Sequence, residues 1–118
     1  MEFNFKSKHS FDKRIKESNR IKSQHPDKIP IIIERHSKCT NLPKLDKSKY
    51  LIPEDLNFGQ LIFVIRRRLQ ISKEKAIFIF HNNVIPPTSA NIGLYFNNKI
   101  DDDGFVYLTY SGENAFGS

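Results

Sequence analysis

The residues best suited to chemistry sit at the end of the chain. Phe105-Val-Tyr-Leu-Thr-Tyr110 is rich in β-branched and aromatic side chains, and Gly112-Glu-Asn-Ala-Phe116-Gly117-Ser118 follows it. The pattern is a strand, a short polar tail, one bulky anchor, one glycine and one further residue. Glycine lacks a Cβ, so its backbone passes where any other residue would clash. A tail that must thread a narrow enzyme tunnel, be cut, and then be activated as an acyl group needs that property. Read alone, the same stretch is also an ordinary chain end.

Other reactive side chains do not assemble in the sequence. His9, His25, His36 and His81 lack a metal-ligand spacing, and Cys39 stands without a neighbouring pattern that would activate a thiol. Asp101-Asp-Asp-Gly104 opens like a calcium loop, but an EF-hand starting at Asp101 needs glutamate at position 112, which is Gly112. A turn entering a strand is the simpler reading. No metal site and no cofactor are expected. Cys39 is the only cysteine, which rules out an intrachain disulfide and suits a reducing compartment.

The 118 residues suit one domain with a modest core, at 38% apolar and 27% charged residues. The N-terminus has no apolar stretch long enough for a signal peptide, and nothing approaches the roughly 18 apolar residues of a membrane span. A soluble, cytoplasmic chain is expected. Charge is uneven: residues 1–49 carry +7 and residues 50–118 carry −1 of the total +6. A basic half points to nucleic acid, anionic lipid or acidic peptide, or to a solvated helix face; composition does not choose among them.

The elements that must hold the tail can be read in order. Ser10 caps an amphipathic helix running to Gln24, with a thin apolar stripe of Phe11, Ile15 and Ile21, and Phe3 and Phe5 belong to a short helical turn before it. The run from Lys28 through Pro30 to Arg35 reads as a strand buried on both faces, with Pro30 near its start, where a lost donor is tolerated. Residues 36–44 form a loop. Lys47 to Pro53 reads as an exposed edge strand, marked by its lysines and terminal proline. Asn57 and Gln60 form a capping box, and Phe58, Leu61, Ile62, Ile65 and Leu69 then recur at helical spacing. Arg66, Arg67 and Arg68 turn around that helix, so they cannot make one flat patch. Residues 76–80 read as a strand, residues 90–97 as a short helix and residues 105–110 as the last strand. This order is that of an α+β domain, a β-grasp of four strands in a mixed sheet around one main helix.

At this point the sequence resembles the autophagy ubiquitin-like modifiers, the GABARAP family. The resemblance rests on Phe11-Asp-Lys-Arg14, His25-Pro-Asp-Lys-Ile-Pro-Ile-Ile-Ile-Glu-Arg35, Asp46-Lys-Ser-Lys-Tyr-Leu-Ile-Pro53 and Asn82-Asn-Val-Ile-Pro-Pro-Thr-Ser-Ala90. It continues from Asp103 to Gly117, so it covers nearly the whole chain. Departures are small: Ser10 stands where proline is common, His81 where an apolar residue is usual, and Tyr95-Phe96 in place of an apolar-Tyr pair. The resemblance implies a ubiquitin-like fold with residues 1–27 as a helical extension, 28–111 as the core and 112–118 as a conjugation tail. One domain holds all three.

The resemblance further implies a substrate of enzymes with no catalytic residues of its own. A cysteine protease would remove Ser118, leaving Gly117 behind the anchor Phe116. E1-like and E2-like enzymes would then carry Gly117 as a thioester to an amide linkage with phosphatidylethanolamine, placing a lipid-anchored form on autophagosome and cytoplasmic vesicle membranes. A second implied function is docking of receptors and adaptors through short aromatic-x-x-aliphatic motifs added as a strand to the edge. The motif's aromatic residue would sit near Glu17, Ile21, Pro30, Lys49, Leu51 and Phe105. Its aliphatic residue would sit near Tyr50, Ile52, Pro53, Leu56, Leu61 and Val64. Lys28, Lys47, Lys49 and Arg68 could meet acidic residues beside the motif. Alternation along a strand turns Leu51 away from Tyr50 and Ile52, which is compatible with two pockets.

Two rival readings remain at this level. A modifier of the same fold could be attached to protein lysines instead of lipid. A nucleic-acid binder fits the basic half, but no zinc spacing, RNP aromatic pattern or helix-turn-helix signature accompanies it, and no nucleic-acid partner is expected.

Overall fold

Eight elements form within residues 2–113, the part of the chain that the computed structural model describes. They run α1 (Asn4–Lys8), α2 (Phe11–Gln24), β1 (Lys28–Arg35), β2 (Lys49–Pro53), α3 (Phe58–Leu69), β3 (Phe78–Phe80), α4 (Ile92–Tyr95) and β4 (Val106–Ser111). The strands make one sheet in the order β2-β1-β4-β3, with β1 and β4 parallel and the outer pairs antiparallel. This is the mixed four-stranded β-grasp read from the sequence.

The unbroken isoleucines of β1 follow from its place. Side chains alternate across a strand, so Ile29, Ile31 and Ile33 face α3, joining Phe58, Leu61, Ile65 and Leu69 in the larger core. Ile32 faces the other way, into a smaller cluster with Ile21 of α2, Phe105 and Tyr107, against which Phe3, Phe5 and Leu51 pack. Both faces of the strand are covered, which removes the polar alternation. Burying one such isoleucine stabilises the fold by roughly 1.5–3 kcal/mol. The N-terminal helices therefore cover a second sheet face.

Pro30 is tolerated for a topological reason. The Ile33 N–H donates toward β2, to the Ser48 carbonyl at 2.8 Å, so the neighbouring even-numbered positions direct their backbone toward β4. The parallel ladder with β4 begins only at Ile31, one residue beyond Pro30. The missing donor costs no ladder bond.

Polar contacts lock α2 in place. Asp103, buried at the entrance to β4, accepts from Arg14 Nε at 2.8 Å, from the Phe105 N–H at 3.0 Å and from the Tyr107 hydroxyl. The hydroxyl of buried Ser18 donates to the Asp103 carbonyl at 2.6 Å. Gly104 lies so close to α2 that an added Cβ would stand 2.3 Å from Ser18 Oγ, and its φ of 86° also favours glycine. Glu34 accepts from the N–H groups of Asn4 and Phe5 at 2.8 and 3.0 Å, which ties down the start of α1.

Element ends differ from the sequence reading where partners decide them. β2 starts at Lys49, not Lys47, because the Lys47 carbonyl accepts from the Tyr50 hydroxyl at 3.0 Å outside the ladder. β3 starts at Phe78, not residue 76, because Phe78 already pairs with Ser111, the last residue of β4. α4 is confined to Ile92–Tyr95 by its Asn91 cap, and β4 runs from Val106 to Ser111.

Candidate functional site

β2 is an edge strand, and the site is built on its open side. In the ladder with β1, Ser48, Tyr50 and Ile52 direct their backbone groups inward, which leaves those of Lys49 and Leu51 directed outward. These are the groups on which a further strand would pair. Their side chains divide as alternation requires: Tyr50 and Ile52 enter the α3 core, and Leu51 packs on the α2 cluster.

A groove of about 560 Å³ runs along this edge. Glu17 and Ile21 reach it from α2. Lys47, Lys49, Tyr50, Leu51, Ile52 and Pro53 supply its length, and Leu56 and Val64 reach it from the loop before α3 and from α3 itself. Arg20 and His25 also line it, and neither was singled out in the sequence. The signal was available: Arg20 lies three residues after Glu17 and His25 four after Ile21, so each shares a face of α2 with a residue already chosen.

Other expected residues lie elsewhere. Leu61 and Phe105 are both 0% exposed and belong to the two cores, so they support the groove from beneath without lining it. Pro30 is buried opposite Leu51 in the ladder, and Lys28 pairs with Pro53 at the strand's end. Arg68 stands over the Tyr50 ring at 5.8 Å, with Asp46 at 3.5 Å. Arg66 instead donates to the carbonyls of Ser72 and Lys75, and Arg67 lies over Phe63, so the three arginines diverge as helical spacing requires.

The groove's charge is partly satisfied within the fold. Oε1 of Glu17 accepts from Arg20 at 2.5 Å and from Lys49 Nζ at 2.7 Å, linking α2 to the edge strand. These hydrogen bonds, first from Arg20 and then from Lys49, hold the Glu17 carboxyl below its ordinary range. Burial pushes the Tyr50 phenol upward, opposed by Arg68, and Lys47 Nζ lies 5.0 Å from the ring centre. The arrangement suits an extended, acidic-flanked peptide that brings its own apolar side chains.

The tail residues Phe116, Gly117 and Ser118 lie outside the described residues; the last ones before them, Gly112 and Glu113, leave the end of β4.

Comparison with known proteins finds relatives in both sequence and structure. The family model described as "Autophagy protein Atg8 ubiquitin like" matches residues 13–117. Autophagy-related protein 8e of Arabidopsis thaliana is 50% identical over 114 residues, which cover 97% of this chain and 93% of the relative. Autophagy-related protein 8 of Mycosarcoma maydis is 49% identical over 113 residues, covering 96% and 95%. The crystal structure of Trypanosoma brucei ATG8 superposes with a TM-score of 0.90 at 36% identity, over 99% of this chain and 100% of that one.

Proposed function

Because this chain belongs to the Atg8 family of autophagy ubiquitin-like proteins, we propose that its edge groove takes receptor motifs and that Gly117 is the residue joined to phosphatidylethanolamine. The protein is a ubiquitin-like autophagy modifier and not an enzyme. Its work divides between two places: a tail that other enzymes process, and an edge that binds peptides.

In the tail, a protease thiolate cleaves after Gly117 and releases Ser118. E1-like and E2-like enzymes then hold the glycyl carbonyl as a thioester until the lipid amine takes it. Phe116 anchors, and Gly117 offers a carbonyl with no side chain beside it. The cytoplasmic form thereby becomes a lipid-anchored one on autophagosome and vesicle membranes.

At the edge, a receptor segment pairs with the outward backbone of Lys49 and Leu51. Its aromatic side chain lies toward Ile21 and Leu51, above Pro30 and Phe105. Its aliphatic side chain lies toward Pro53, Leu56 and Val64, above Leu61. Lys28, Lys47, Lys49 and Arg68 act on acidic flanking residues, each worth roughly 0–1 kcal/mol, so burial in the pockets dominates affinity. The observation that carries this reading is the convergence of α2, β2 and α3 on one open sheet edge in a chain matched to the family along its length.

Intact mass measured from cells tests the tail. Loss of one serine followed by gain of a phospholipid is expected, and Gly117→Ala should abolish the lipid-bearing species. A normal lipid-bearing product from Gly117→Ala rejects the assignment, and a branched peptide in place of lipid would mean attachment to protein lysines.

A further inference from the structure

The loop that follows β1 closes over the end of β4, where the tail begins. The His36 N–H donates to the Tyr110 carbonyl at 2.9 Å. The Tyr110 hydroxyl donates to the Pro43 carbonyl at 2.7 Å and accepts from the Leu45 N–H at 2.9 Å. Arg35, opposite Tyr110 in the ladder, donates to the Leu42 carbonyl at 2.8 Å. The loop is fastened to β4 at both ends, and residues 39–42 are held between.

That middle segment meets the root of the tail. Cys39 is only 4% exposed, although it sits in a loop, and its sulfur lies 3.5 Å from Asn41 Oδ1. A Cβ on Gly112 would stand 2.5 Å from Nδ2 and Oδ1 of Asn41 and 2.7 Å from its Cγ, so the backbone passes hard against that amide. Ser111 is fully buried and Glu113 exposed, and the Glu113 N–H is tied back to Ser111 Oγ at 3.1 Å. The sheet ladder itself stops at Ser111, where Phe78 pairs. Among the described residues, the point where the chain leaves the sheet is therefore bounded by Asn41 of this loop on one side and by the tie back to Ser111 on the other.

We propose that the loop is a seat for the tail, with Asn41 and Gly112 as positioning residues for cleavage after Gly117. The inference rests on the function proposed above. In that step a protease thiolate attacks the Gly117 carbonyl, the bond to Ser118 breaks, and the departing amine takes a proton. Water then releases the glycyl carboxylate from the acyl-enzyme. Five extended residues reach at most about 17 Å, so the heading of the chain at Gly112 decides whether the carbonyl meets a nucleophile in a narrow tunnel. Asn41, an exposed residue, stands beside that departure and is available for the protease to contact.

The test uses the full chain and its processing protease, following loss of Ser118 by mass. Gly112→Ala is expected to lower the cleavage kcat/KM at least fivefold, while motif-peptide affinity at the distant edge stays within twofold. Adding Asn41→Gly, which makes room for the new methyl group, should restore cleavage to within twofold of the parent. If Gly112→Ala also loses peptide binding, Asn41→Phe, which crowds the root from the loop side, takes its place with the same fivefold expectation. Cleavage at the parental rate in the crowded variant, or no rescue by Asn41→Gly, overturns the proposal. Failure of the parent chain to be cut after Gly117 would instead overturn the function on which it rests.

Discussion

Glu17 shows how a single carboxylate can act on a binding edge through the cations it holds. By engaging Arg20 and Lys49 together it fastens α2 to β2, and it also draws two cations away from anything arriving in the groove. Glu17→Ala should release both. Peptides with acidic residues beside the motif are then expected to bind up to about threefold tighter at low salt, with the gain vanishing at high salt, since exposed pairs contribute roughly 0–1 kcal/mol. Calorimetry at two ionic strengths measures this, and weaker, salt-independent binding would show that the bridge holds the groove's shape instead. Leu51 offers the contrasting case. Its half-buried side chain lies on the α2 cluster and adds apolar contact area at the edge, so Leu51→Ala should weaken motif peptides about tenfold with little salt dependence. The same titration, set beside an unchanged melting temperature, separates lost contact from lost fold.

Among the elements, α3 gives the larger core four buried residues, Phe58, Leu61, Ile65 and Leu69, and its start is fixed by two reciprocal bonds. Asn57 Oδ1 accepts from the Gln60 N–H at 2.8 Å, and Gln60 Oε1 accepts from the Asn57 N–H at 2.9 Å. Asn57→Ala should cost about 1 kcal/mol and lower the melting temperature by about 4 °C. Thermal unfolding followed by circular dichroism checks this, and an unchanged midpoint would mean that burial of Phe58 alone fixes the helix start. This cap was legible in the sequence because both partners lie within one turn, as was the Ser10 cap of α2. Features that depend on distant partners were less so. β3 lost two expected residues because β4 ends opposite Phe78, and β2 lost two because Lys47 turns to its own neighbour Tyr50. Residues 36–44 read only as a polar loop, since the bond that organises them joins Tyr110 to Pro43, 67 positions away. The groove residues were accessible through resemblance, whereas the depth of each was not. Leu61 carries the same apolar character as Leu56, and only packing places one in the core and the other beside the groove.

At the scale of the molecule, the binding edge and the tail root depend on one sheet, and two histidines make that sheet's stability depend on pH. His36 and His81 are each 6% exposed. His36 N–H and Nδ1 are engaged by the Tyr110 carbonyl and the Lys38 N–H, and its ring faces Phe80. His81 stands against Phe96 and Tyr95 where β3 ends. Burial lowers both pKa values; Lys38 lowers His36 further, and for His81 the opposing pull of Asp101 does not overcome burial. A histidine whose folded pKa lies below its unfolded value of 6.5 takes up protons more readily when unfolded. Its contribution is therefore whole above pH 6.5 and declines as the pH falls from there toward the folded pKa. Glu17, also depressed in the folded state, contributes with the same sign but in a lower window: its share is present above its ordinary 4.5 and is lost only as the pH falls below that. Urea unfolding between about pH 7.5 and 5.5 thus isolates the histidines, and the slope should approach, at most, about 1.4 kcal/mol per pH unit for each. His81→Leu, which suits its aromatic surroundings, should remove about half of that slope and leave stability near neutrality within about 1 kcal/mol. A parent protein equally stable across the window would show that the imidazoles take up protons without leaving their sites, and the sheet would then hold both functions independently of acidity.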